Sequence, residues 1–97
     1  MYYANFYAEK SKRNIEADIK KKGFIPHLIS NPPNFEYSSH SHPESKLLVI
    51  IHGGMKVVVG SKNFECKEGD MMLIKGEVEH SAIVGEKGCE FYWSERS

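Results

Sequence analysis

The hydrophobic pattern changes character at Gly23. Residues 11–22 are mostly charged, and the apolar Ile15 and Ile19 stand four apart on one face. That spacing predicts a helix with a narrow apolar stripe. Lys20, Lys21 and Lys22 fall at its end, where cations complement the helix dipole, and Gly23 is a natural stop signal. From Phe24 onward the pattern is one of short extended segments, at 24–29, 35–42, 46–52, 55–59, 64–67, 71–74, 81–84 and 89–94. Turn residues separate them: Pro32-Pro33, Pro43, Gly53-Gly54, Gly60-Ser61, Gly69-Asp70, Gly76 and the stretch 85–88. Short strands at such regular spacing predict an all-β sandwich or barrel. Pro26 marks the first segment as an edge strand, and Val57 to Phe64 reads as a tight hairpin around Gly60-Ser61. The first ten residues carry Tyr2, Tyr3, Phe6 and Tyr7. Such a cluster either caps the chain's own barrel or marks an interface, and the sequence leaves both open.

Composition narrows the picture without changing it. A chain of 97 residues fits one core, divided into an N-terminal segment with helix (1–23) and a barrel (24–97). Thirteen basic residues balance thirteen acidic ones, which argues against a nucleic-acid partner. The interleaved Glu9, Glu16 and Asp18 favour a solvated helix over a phosphate-binding face. The longest aliphatic run, Leu47 to Ile51, is far shorter than the roughly 20 residues that span a bilayer, and no signal-peptide pattern opens the chain. Two cysteines, Cys66 and Cys89, are too few for a disulfide scaffold. A cytoplasmic location without a membrane partner is therefore expected.

The chemistry lies in the histidines. His40 and His42 are two apart, so on a strand their imidazoles share a face and can converge on one ion. His80 is the best candidate for a third ligand. His27 and His52 read as surface or rim residues, and Cys66 and Cys89 as core. Tyr92 and Trp93 lie on opposite faces of the last strand, so one of them reaches any cavity. Arg13 and Arg96 are the only arginines, which argues against multi-arginine clamping of a phosphorylated or dicarboxylate substrate.

The stretch from His40 to His80 resembles the two motifs of the cupin superfamily. The first runs Gly, five residues, His-x-His, three or four residues, Glu, six residues, Gly; His40, His42 and Gly53 match it. The second runs Gly, five residues, Pro-x-Gly, two residues, His, three residues, Asn; Gly69 and His80 match it. The resemblance covers roughly residues 24–94 and is nearest to small single-domain cupins with a short N-terminal helix. It implies a double-stranded β-helix, that is, a jelly-roll barrel preceded by one helix, with a pocket at one end. It also implies a divalent transition metal (Zn, Fe, Ni or Mn) on His40, His42 and His80, a small-molecule ligand or substrate, and pairing as a homodimer. The departures are Asn34, Lys75, Glu77 and Val84 at framework positions, and Lys46 where the motif has Glu, usually the fourth ligand. Glu44 could supply a carboxylate by loop adjustment, and Lys46 could instead fix an anionic ligand in a metal-free site. Glu44, Lys46 and Tyr92 are the candidate catalytic groups. Three function classes remain: a metal-dependent enzyme of oxygenase or isomerase type, a non-catalytic ligand-binding or sensing module, and an interaction protein with a vestigial pocket.

Overall fold

The computed structural model describes residues 1–96. In chain order the elements are β1 (Tyr2–Tyr3), α1 (Lys12–Lys21), β2 (Phe24–Asn31), β3 (Glu36–His40), β4 (Lys46–Val59), β5 (Lys62–Lys67), β6 (Met71–Ile74) and β7 (His80–Arg96). All strand pairings are antiparallel. The architecture is the expected jelly roll with one helix.

Two long strands replace four expected short ones. β4 and β7 run side by side along their whole length, with register shifts between Ile50 and His52 and between Gly53 and Met55. Gly53-Gly54 and the stretch 85–88, read as breaks, lie inside continuous strands. At Gly53 the backbone has φ 76°, and an added Cβ would collide with the Gly88 carbonyl oxygen. Only glycine allows the two strands to approach there. On one side of the bend lie β1, β6, the first half of β4, the second half of β7, and β2; on the other lie β5, the second half of β4, the first half of β7, and β3. The two halves face each other.

The bend also switches which alternate residues point inward, as a bulge does. Leu48 and Ile50 face the barrel interior before it, and Met55 and Val57 after it. In β7, Val84 faces inward before the bend, and Cys89 and Phe91 after it. The opposite face of the first half is not solvent. Leu47, Val49, Ile51 and Tyr92 pack under the helix with Ile15, Ile19 and Tyr7. This explains the unbroken apolar run in β4: one face fills the barrel and the other lies beneath α1.

The helix forms as its spacing predicts. Ser11 caps it by accepting a hydrogen bond from the Asn14 N–H at 3.1 Å, and Ile15 and Ile19 are buried. Its polar face is solvated and carries i,i+4 ion pairs. Pro26 does sit in an edge strand, since β2 ends the sheet. β4 and β5 form the expected hairpin, with Val59 opposite Lys62 and Gly60 at φ 61°. Both cysteines are buried in the barrel core, and burial pushes each thiol up to about 12. They are therefore inert apolar filler.

The aromatic N-terminus is taken only in part into the chain's own fold. Tyr2 pairs through β1 with β6, packs on Phe64 and donates a 2.5 Å hydrogen bond to Asp70. Asp70 is buried, and its carboxylate also accepts from the Asn5 and Lys67 N–H groups. Tyr7 is buried beneath the helix and donates to Asp18. Tyr3 and Phe6 remain exposed.

Candidate metal centre

The barrel holds a cavity of about 260 Å³. Its floor and sides are apolar, built from Leu48, Met55, Val57, Ile74 and Phe91 among others. Its polar end is formed by His40, His42 and His80, whose ligand nitrogens lie within 4.8 Å of one another. A group of three nitrogens at that spacing could hold one ion.

Backbone pairing places two of the three. His40 ends β3 directly opposite His80, which begins β7. An irregularity in β3 between Tyr37 and His40 lets both face the cavity despite their odd separation. β3 was expected to continue to residue 42. It stops at His40, so His42 stands in the following loop, and its position depends on a neighbouring turn. The Glu77 N–H donates to the His42 carbonyl at 2.6 Å. The Gly76 N–H donates to Ser45 Oγ at 3.2 Å, and a Cβ on Gly76 would strike the Pro43 carbonyl. The turn before His80 thus clasps the loop that carries His42. In the sequence, Gly76 is only a turn signal and Glu77 only a departure from the motif, and neither reveals this clasp.

The hydrogen bonds fix which nitrogens are available. The Nδ1–H of His80 donates to the Val78 carbonyl at 3.0 Å, and that of His40 to the Ser38 carbonyl at 2.5 Å. A carbonyl can only accept, so both rings carry the proton on Nδ1 and present Nε2 as the lone-pair atom. The Nε2 atoms of His42 and His80 are buried without a hydrogen-bond partner. Unpartnered buried nitrogens are uncommon and call for an explanation; a metal ion is one that uses all three rings. Burial, aided by nearby Lys46 and His40, lowers the pKa of both His42 and His80. The rings are therefore held in the neutral form that binds metals. The donor set fits a divalent transition metal.

The other candidates fall into place around this centre. Lys46 is only 7 % exposed and lies on the inward-facing side of β4 with Leu48. Its Nζ is 3.1 Å from a carboxylate oxygen of Glu44, and this hydrogen bond lowers the Glu44 pKa. Glu44 is half exposed and held by Lys46; it is not among the clustered ligand atoms. Strand alternation sends Trp93 to the cavity, with its ring 6.1 Å from His42 and 6.0 Å from His80. Tyr92 therefore faces the helix, where its hydroxyl donates to Glu16 at 3.0 Å. Burial and Glu16 push its pKa up to about 12. It cannot touch a ligand in the cavity. His27 and His52 are exposed and lie near Glu95 and near Glu68 and Glu90.

Residues 26–95 match the family of AraC-like ligand binding domains. No protein of curated function matches the sequence. Among solved structures, a protein from Neisseria meningitidis is 29 % identical with a TM-score of 0.65, over 77 % of this chain and 75 % of that one. A cupin-2 domain protein from Shewanella frigidimarina is 18 % identical with a TM-score of 0.66, over 77 % and 72 %. An oxalate decarboxylase variant from Bacillus subtilis is 21 % identical with a TM-score of 0.68, over 77 % of this chain but 21 % of its own. The chain spans 65 to 75 % of the length of the first small structures it resembles. These likenesses carry the cupin fold.

Proposed function

The chain belongs to the family of AraC-like ligand binding domains, and from that membership we propose that it binds a small molecule against a divalent metal held by His40, His42 and His80. One observation carries this reading. The buried Nε2 atoms of His42 and His80 have no partner, and they converge with His40 on an apolar cavity. A purely structural trio would find hydrogen-bond partners within the fold. A bound divalent ion would supply a Lewis-acid centre with positions left open for water or ligand. The chain's own contribution is to orient the rings through Ser38 and Val78, to clasp the His42 loop, and to surround the centre with apolar walls.

Elemental analysis of untagged protein tests this. Near-stoichiometric Zn, Fe, Ni or Mn in the wild type, lost in His40→Ala/His42→Ala, supports the centre. Absence of metal in both, even after incubation with each ion, would sink it. The open positions also support a second reading, oxygenase or isomerase chemistry on the bound molecule. Against this, no carboxylate lines the cavity among the described residues. Screening small substrates with the loaded protein separates enzyme from binding module.

The free edge of β2 and the exposed Leu28 and Ile25 support pairing of two copies. Light scattering of Leu28→Lys against wild type tests that: a dimer that becomes a monomer upholds it, and a wild-type monomer refutes it. Among the described residues no helix is long and apolar enough to cross a membrane.

A further inference from the structure

We propose that the cavity selects a small molecule with one anionic head and an apolar body, such as a short-chain or single-ring carboxylate, and discriminates against polyhydroxylated ligands. The proposal deepens the reading above and rests on it for the position of the head group. Three observations lead to it.

The first is size. A dry cavity of roughly 150 Å³ accommodates benzene. The space here, about 260 Å³, therefore holds one ring with a short substituent, or a chain of about six carbons. The second is the polar inventory of the wall. Apart from the three histidines, the polar side chains lining the cavity are Tyr37, Ser81 and Trp93. The Tyr37 hydroxyl is already committed, donating to Asn31 at 2.5 Å. A sugar-like ligand would place several hydroxyls against Leu48, Met55, Val57, Ile74 and Phe91, where none can be matched. Burying unmatched hydroxyls is unfavourable, and sites that recognise such ligands supply a partner for each. The third is charge. Imidazole ligands bring no negative charge to an ion, and no Asp or Glu lines the cavity among the described residues. A dication would therefore carry its full charge into the space. Lys46 is buried on the same face of β4 as the cavity-lining Leu48, and it adds to the positive field although Glu44 shares its charge. An anionic head answers that field, and the rest of the molecule must be apolar.

The protein carries its own reporter. Trp93 is the single tryptophan and lines the cavity beside the histidines, so its fluorescence senses occupancy with or without metal. The test compares acetate, hexanoate and gluconate. They share a carboxylate head, and the last two share six carbons. Each is titrated into Zn-loaded protein and into chelator-treated protein. Each buried methylene is worth about fourfold in affinity. Hexanoate should therefore bind at least tenfold tighter than acetate, and gluconate no tighter than acetate. Ala82→Leu, which narrows the cavity at a partly buried position, should weaken hexanoate binding at least tenfold. Its Co²⁺ absorption spectrum should match the wild type, which also shows that the variant folds. Equal affinities for hexanoate and acetate, tighter gluconate binding, or no saturable response to hexanoate would each overturn the proposal. Failure of the metal centre is separate, because it appears as a missing Co²⁺ spectrum. If hexanoate still binds the chelator-treated protein under those conditions, the apolar ligand class stands without the metal.

Discussion

Replacing His80 by Leu separates a functional histidine from a structural one. In the metal-free protein His80 is 5 % exposed and its Nε2 has no partner. An unsatisfied buried polar atom costs about 1–3 kcal/mol. Leu fills a similar volume without that cost, and volume-conserving swaps are tolerated best. The substitution also removes the 3.0 Å bond to the Val78 carbonyl, worth about 1 kcal/mol; Val78 is only partly buried, so water can take up its carbonyl. The net expectation for the metal-free protein is a gain of about 1 kcal/mol, which raises Tm by about 4–8 °C in a domain of this size. Metal should reverse the order. At a free concentration one hundred times Kd, binding stabilises the wild type by about 2.7 kcal/mol, and the variant loses most of that. The assay is thermal unfolding by circular dichroism at pH 8, with chelator and then with excess Zn²⁺. Crossing stability orders are the expected signature. A variant more than 2 kcal/mol less stable than wild type in chelator would refute the reasoning, because His80 would then be part of the scaffold.

Lys46→Glu places a carboxylate near the three rings and removes a cation; metal affinity should rise at least tenfold in a competition titration, and an unchanged affinity would mean that this side chain does not reach the ion. Glu77 has φ 69°, a conformation that costs an L-residue about 1–2 kcal/mol. Glu77→Gly relieves it but adds freedom to the unfolded chain, so denaturant titration should show a gain of up to about 1 kcal/mol; a loss would argue that the Glu77 side chain supports the clasp on His42. The hydrogen bond from Tyr7, with Lys22 beside it, lowers the Asp18 pKa. A depressed carboxylate stabilises the fold above its unfolded value of about 3.9 and loses that contribution as pH falls through its lower folded value. Tm should therefore fall less steeply below about pH 4 in Asp18→Asn than in wild type, and identical slopes would contradict this.

Much of this was legible in the sequence because strand and helix have different periods. Ile15 and Ile19 marked the helix face, and Pro26 marked the edge strand. The His40, His42 and His80 spacing located the cluster. Other features needed three dimensions. Gly53-Gly54 and the stretch 85–88 read as turns, since a glycine that ends a strand and one that bends it look alike in one dimension; what distinguishes them is the close approach of Gly53 to Gly88. The same bend reverses inward parity, so alternation alone could not say whether Tyr92 or Trp93 faces the cavity. Asn34 and Glu77 departed from the motif in identity but keep positive φ, at 63° and 69°. Nor could spacing reveal that the Lys46 ammonium is taken up by Glu44.

The first half of β4 is a party wall. Leu48 and Ile50 belong to the barrel interior, and Leu47, Val49 and Ile51 to the layer under the helix. No residue in that stretch can change size without pressing on one compartment through a backbone shared with the other. A helix that shifts on its bed would tilt the wall and alter the room behind it, and a molecule entering that room would push back. Substitutions beneath the helix, remote from any histidine, therefore also press on the cavity while leaving the three rings as they are.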